Sequence, residues 1–169
     1  MSCSQNKTLL FFTASFPFGN KAETFIETEI TYLAKNFEKV YIIPLYKESD
    51  FIRQVPENCI VMDVLCKPVK KSEKIRLMFK NPLISARIIL SEMSDKGLMR
   101  VYRNKRLIID LLIHQIRNAN LIKNSFPKEL LLNALIYDYW FENSTLALSI
   151  LKRKGRIAQL VVRGHAFDI

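Results

Sequence analysis

The residues best equipped for chemistry sit in two short segments. One is VVRGHAFDI (161–169), where an apolar run gives way to Arg163, Gly164, His165 and Asp168; His165 is one of only 2 histidines. The other is FPFGNKAE (16–23), in which Gly19 and Asn20 follow Pro17 and lead into a helical pattern. A helix start presents free N–H groups and the positive end of the helix dipole, which suit an anion or a polar ligand. In open parallel sheets, ligands sit outside the carboxyl ends of the strands. If the strands feeding these two segments run parallel, both loops open on one edge and can share a ligand. An ordinary pair of α/β loops with satisfied polar groups accounts for the same residues equally well.

The elements that must position these loops are legible as alternating patterns. KTLLFFTAS (7–15) is a compact apolar run of the kind a strand buried on both faces shows. Ile26, Ile30, Leu33 and Phe37 recur at helical intervals and predict an amphipathic helix over 22–36. Asn20 and Glu23 have capping-box spacing, and Glu23 and Glu27 read as first-turn acids on the helix dipole. KVYIIPLY (39–46), NCIVMDV (58–64), NALIYDYWF (133–141) and IAQLVV (157–162) read as further strands. Asn143 or Ser144 can cap a helix over 144–154, which ends in three cations before Gly155. Between the third and fourth strands, Ile108, Leu111, Leu112 and Ile116 form a helical stripe. The layout predicts an α/β fold, Rossmann-like and doubly wound, with a mostly parallel sheet.

Composition bounds the function classes. The 169 residues suffice for one domain, and 49% apolar with 25% charged residues is ordinary globular usage. Cys3, Cys59 and Cys66 fit no metal or redox spacing, which suits a reducing compartment. No apolar run reaches the roughly 18 to 20 residues of a membrane span, and the N-terminus reads as a strand rather than a signal peptide. A cytoplasmic protein is expected. The net charge of +10 is regional: residues 67–106 hold twelve Lys and Arg against Glu73, Glu92 and Asp95. No zinc-finger, RNP or helix-turn-helix pattern accompanies that charge, so no nucleic-acid partner is expected. Basic helices interleaved with apolar residues, as in KKSEKIRLMFK (70–80), suit an anionic membrane surface at about 1 kcal/mol per nearby cation. A solvated helical face is the equal alternative. His114 lies within the helical pattern and reads as a surface or packing histidine.

FPFGNKAETFIETEITYLAKNFEKVYIIPL (16–45) and IYDYWFENSTLALSILKRKGRIAQLVVRGHAFDI (136–169) resemble the N-terminal domain of bacterial family 4 glycosyltransferases of the GT-B type. The resembling elements are an ETFIE-x-E helix after the first strand and an aromatic-Tyr-Trp strand followed by Arg-x-His-Gly-x-Asp. This chain departs from that pattern at two points: Gly19-Asn20 replaces a glycine pair, and Ala166 replaces the glycine after the histidine. The resemblance implies transfer of a sugar from a nucleotide-sugar to a saccharide or lipid-linked acceptor, with retention and with neither metal nor cofactor. It implies a domain spanning 1–169, with a basic helical segment over about 67–118, cut before a C-terminal donor domain and inactive alone. On that basis His165 reaches the transferred sugar, and Gly19 and Asn20 shape the acceptor loop. Arg163 meets diphosphate charge or forms a strand-end salt bridge, and Asp168 orients His165, contacts acceptor or caps its loop. The competing expectation is a non-catalytic basic α/β module that binds a membrane surface or polyanion.

Overall fold

The computed structural model describes residues 7–21, 23–68, 76, 105–141 and 143–164. Five strands form one sheet: β1 (Thr8–Thr13), β2 (Lys39–Pro44), β3 (Cys59–Val61), β4 (Leu135–Asp138) and β5 (Gln159–Val162). All four pairings are parallel and the order is β3-β2-β1-β4-β5. Helix α1 (Ile26–Asn36) joins β1 to β2. Helices α2 (Lys105–Ser125) and α3 (Lys128–Asn133) precede β4, and α4 (Asn143–Arg153) joins β4 to β5. This is the expected Rossmann-like doubly wound α/β fold, and its strand order reverses between β1 and β4.

Period-two alternation along the buried strands splits the core into two layers. Leu10, Phe12 and Ile136 face α2 and α4, packing with Ala119, Ile122, Ala147, Leu148 and Leu151. Leu9, Phe11, Val40 and Ile42 face α1, packing with Ile26 and Ile30. Phe11 and Phe12 are both 0% exposed, which is why β1 reads as an unbroken apolar run rather than an alternating one.

Several boundaries differ from the sequence expectation, each for a local reason. Helix α1 starts at Ile26 rather than 22, and Phe25 stands at its N-cap with no side-chain cap, so the capping box is not formed. Strand β4 stops at Asp138, because Tyr139, Trp140 and Phe141 leave the sheet after the last backbone bond, Tyr139 N–H to the Phe12 carbonyl at 3.0 Å. Helix α2 runs on to Ser125, and its buried face is Leu112, Ile113, Ile116, Ala119 and Ile122, with Leu111 turned outward. Pro127 immediately precedes α3, a helix that the periodicity did not separate from α2. The basic segment over about 67–118 lies outside the described residues from 69 to 104, Arg76 excepted. At its near end the buried Arg117 donates from Nη2 to the Lys67 carbonyl at 2.5 Å, tying that segment's start to α2.

The expected stop of α4 is present. Gly155 adopts φ +62°, its N–H bonds the Lys152 carbonyl, and Arg156 N–H reaches back to the Leu151 carbonyl. These are the paired bonds of a Schellman termination, which favours glycine at that position. Leu148 lies where α4 meets the sheet, fully buried. Leu148→Ala is expected to cost about 2–5 kcal/mol, whereas Leu146→Ala at an exposed position of the same helix stays within about 0.5 kcal/mol. Urea unfolding of the two variants measures the difference.

Candidate functional site

Because every strand is parallel, the loops after β1, β2, β4 and β5 open on one edge of the sheet. Three side-chain groups organise that edge. The first centres on Glu23, only 7% exposed and held at φ +53°. Its Oε2 accepts the backbone N–H of Ser15 at 2.7 Å and Phe16 at 2.6 Å, and its Oε1 accepts Ala14 N–H at 3.0 Å. The Trp140 indole N–H also donates to Oε1, at 2.5 Å. A carboxylate placed ahead of α1 thus binds the loop after β1 and clasps it to the loop after β4. The first-turn dipole role expected for Glu23 is replaced by this one.

Asp138, 1% exposed at the end of β4, anchors the second group. Its two oxygens accept the Ser144 hydroxyl at 2.9 Å and the Thr145 hydroxyl at 2.6 Å. Ser144 thereby turns its hydroxyl toward the strand instead of capping its own helix.

The third group gathers around α1. Glu29 accepts the Tyr137 hydroxyl at 2.9 Å and pairs with Arg163 at 3.0 Å. Arg163 also donates to the Tyr139 hydroxyl at 3.0 Å and lies over that ring, 4.9 Å from its centroid. The strand-end salt bridge is therefore formed. Burial first, then the neighbouring Glu29, push the Tyr137 phenol up to about 12 against hydrogen bonding to Arg163, and Tyr139 shifts the same way. Phe25, half exposed, stacks on Tyr139 at 5.6 Å and meets Trp140 edge-on at 5.9 Å.

Gly19 and Asn20 lie on the other flank of α1. Gly19 N–H donates to the Phe51 carbonyl at 2.9 Å, and the Gly19 carbonyl accepts Arg53 Nε at 2.6 Å. Gly19 sits at φ +84°, a conformation that favours glycine, and a Cβ there would have to push aside the exposed Glu48 carboxylate. Arg53 in turn pairs with Glu27 at 3.1 Å. Glu27 and Glu29 are two residues apart, about 200° around a helix, so α1 divides the rim. Arg163 is on one side; Gly19 and Asn20 are on the other. His165 and Asp168, with Ala166 between them, lie outside the described residues. His114 is half-buried in α2, as a packing histidine would be.

Sequence reasoning missed the hub role of Glu23 and the involvement of Phe51, Arg53 and Trp140. Glu23 and Trp140 are 117 positions apart, and no periodic pattern links them. Among the described residues no cluster of three His, Cys, Asp or Glu side chains can hold a metal ion, and no helix is long and apolar enough to cross a membrane. Comparison of the chain with protein families, with curated proteins and with solved structures returns no match.

Two outcomes test this architecture. Glu23→Gln sets an amide N–H against backbone donors, and is expected to cost at least about 2 kcal/mol in urea unfolding. Trp140 is the chain's 1 tryptophan, so its emission reports the freed indole directly, as a red shift in the same variant. Tyr137 supplies one part of the alkaline pH dependence, beside Cys59 and Cys66, whose thiols burial pushes up to about 11. Its folded pKa lies above the unfolded value, so its contribution is complete below about pH 10 and is lost as pH rises toward about 12. Tyr137→Phe flattens that alkaline decline in a melting-temperature series.

Proposed function

We propose that the chain is the acceptor-side domain of a nucleotide-sugar glycosyltransferase. What supports the reading is one juxtaposition: the segments that resemble family 4 enzymes, 16–45 and 136–169, supply the two halves of one sheet's carboxyl edge. Arg163 from the end of β5 touches Glu29 of the ETFIETE helix across that edge. On this reading a sugar passes from a nucleotide-sugar to a saccharide or lipid-linked acceptor at the rim. Retention of configuration and independence from metal and cofactor follow from the resemblance.

The roles divide by chemistry. His165 acts through a neutral imidazole that donates to, or accepts from, a sugar hydroxyl. Arg163 is nearly half exposed and its pair with Glu29 is a surface one. Such pairs are worth about 1 kcal/mol or less, so a diphosphate can draw the guanidinium away from the carboxylate at little cost. A planar guanidinium also matches phosphate geometry. Asp168 orients His165. In the enzymes the chain resembles, the nucleotide half of the donor is bound mainly by a C-terminal domain. The protein works at the inner face of the membrane, where the twelve cations of 67–106 favour anionic lipid.

That charge also motivates the rival reading, a non-catalytic basic module on a membrane or polyanion, and one set of measurements separates the two. Expressed from its whole reading frame, the protein is expected to transfer labelled sugar from a nucleotide-sugar panel, and His165→Ala to cut the rate about 100-fold with the fold intact. A failure to transfer from any nucleotide-sugar, together with sedimentation on anionic but not neutral vesicles, selects the module.

A further inference from the structure

The loops after β1 and β2 and the start of α1 border an open cleft of about 420 Å³ lined by Asn20, Glu27, Phe51, Arg53 and Gln54. Ligand sites run from roughly 300 to 1,000 Å³, so its size is adequate for a sugar ring. The walls are built rather than incidental. Phe18 and Ile52 form an antiparallel bridge, Arg53 N–H donates to the Pro17 carbonyl at 3.0 Å, and Gly19 is bonded to both Phe51 and Arg53. The Arg53 side chain is 6% exposed and lies over the Phe16 ring, 5.6 Å from its centroid.

The lining chemistry points to a class of ligand. Arg53 and Glu27 are paired, so the cleft carries one positive and one negative charge and no net charge, within a protein of +10. A phosphate entering it would meet the Glu27 carboxylate. Asn20 and Gln54 carry carboxamides, which both donate and accept and so match hydroxyls of either sense. Phe51 is 58% exposed, an apolar face without a cover. Carboxamides, a carboxylate and an open ring around a neutral cleft fit a polyhydroxylated ring with one apolar C–H face.

We infer that this cleft binds an uncharged pyranose, the terminal unit of the acceptor, and that Phe51, Gln54 and Asn20 set its specificity. The inference rests on the acceptor-side reading but adds to it a place and a charge class, on the flank of α1 opposite Arg163. It separates the two substrates: the neutral saccharide on the Gly19 side, the diphosphate charge on the Arg163 side.

Ligand-observed NMR on the 169-residue chain tests it, with uncharged methyl pyranosides and disaccharides in one arm and nucleoside diphosphates in the other. The uncharged sugars are expected to bind, and Phe51→Ala and Gln54→Ala each to weaken that binding about tenfold. Both residues are exposed, and unchanged Trp140 emission verifies the fold of each variant. Saccharide binding that neither variant alters overturns the cleft and leaves the glycosyltransferase reading standing. Absence of any saccharide response, or variant-sensitive binding of nucleoside diphosphates alone, overturns the inference as well. Loss of transfer in the whole reading frame, with saccharide binding at Phe51 retained, overturns the enzyme reading and keeps the cleft.

Discussion

The carboxyl edge of this sheet depends on one carboxylate. Glu23 takes three successive backbone N–H groups of the loop after β1 and the indole of Trp140 from the loop after β4. A hydrogen bond to a charged acceptor contributes about 1.5–3 kcal/mol. Even without additivity, the set outweighs the roughly 1–2 kcal/mol that a left-handed conformation costs a residue with a side chain. The positive φ at Glu23 is therefore held by the bonds its own carboxylate makes. The positions of Gly19, Asn20 and the start of α1 follow from it.

With the loop held, α1 becomes a partition. The two acids that follow Glu23 at the helix start turn to opposite flanks, and their ion pairs differ in kind. Arg53 is almost wholly buried while Glu27 is about half exposed, so removing Glu27 would strand the guanidinium out of water, at several kcal/mol. Arg163 and Glu29 are partly solvated, and their attraction is correspondingly small. In the first pair the guanidinium is buried and also bonded to the Gly19 carbonyl, so it stays in place and shapes a cleft. The second can exchange partners. On the proposed reading, this difference between a fixed guanidinium and a labile one suits a two-substrate site, with one wall to hold and one to respond.

What could be read from the sequence followed from how each feature is encoded. Phe11, Phe12, Ile42 and Ile43 are buried on both sheet faces, so the strands announced themselves as apolar runs. Gly155 ended α4 where local chemistry demands it. The start of α1 was misread because Glu23 has good capping-box spacing, yet its carboxylate is drawn to amides outside the helix, a tertiary contact that outcompetes a local one. Strand β4 was read too long for a related reason: aromatic residues favour strands, but Tyr139 and Trp140 spend their rings on Phe25 and each other. Arg53 and Phe51 carry no periodic signature at all. Their role exists only because Gly19, at φ +84°, brings two loops within bonding distance.

The charge of the chain and the neutrality of the cleft are compatible because they act over different ranges. Unpaired surface cations set up a field that reaches about 8 Å at physiological ionic strength before salt screens it. Such a field draws an anionic surface or a diphosphate toward the protein without selecting among them. Selection between one sugar and another differs by the direction of a single hydroxyl, an energy that a diffuse field cannot resolve and a fixed carboxamide can. A site meant to read hydroxyls gains by cancelling its own charge, since an unpaired guanidinium there would favour any anion over the correct ring. If the cleft takes the proposed sugar, the Arg53–Glu27 pair performs that cancellation. On that inference, hydrogen-bond direction and the Phe51 face distinguish one ligand from another.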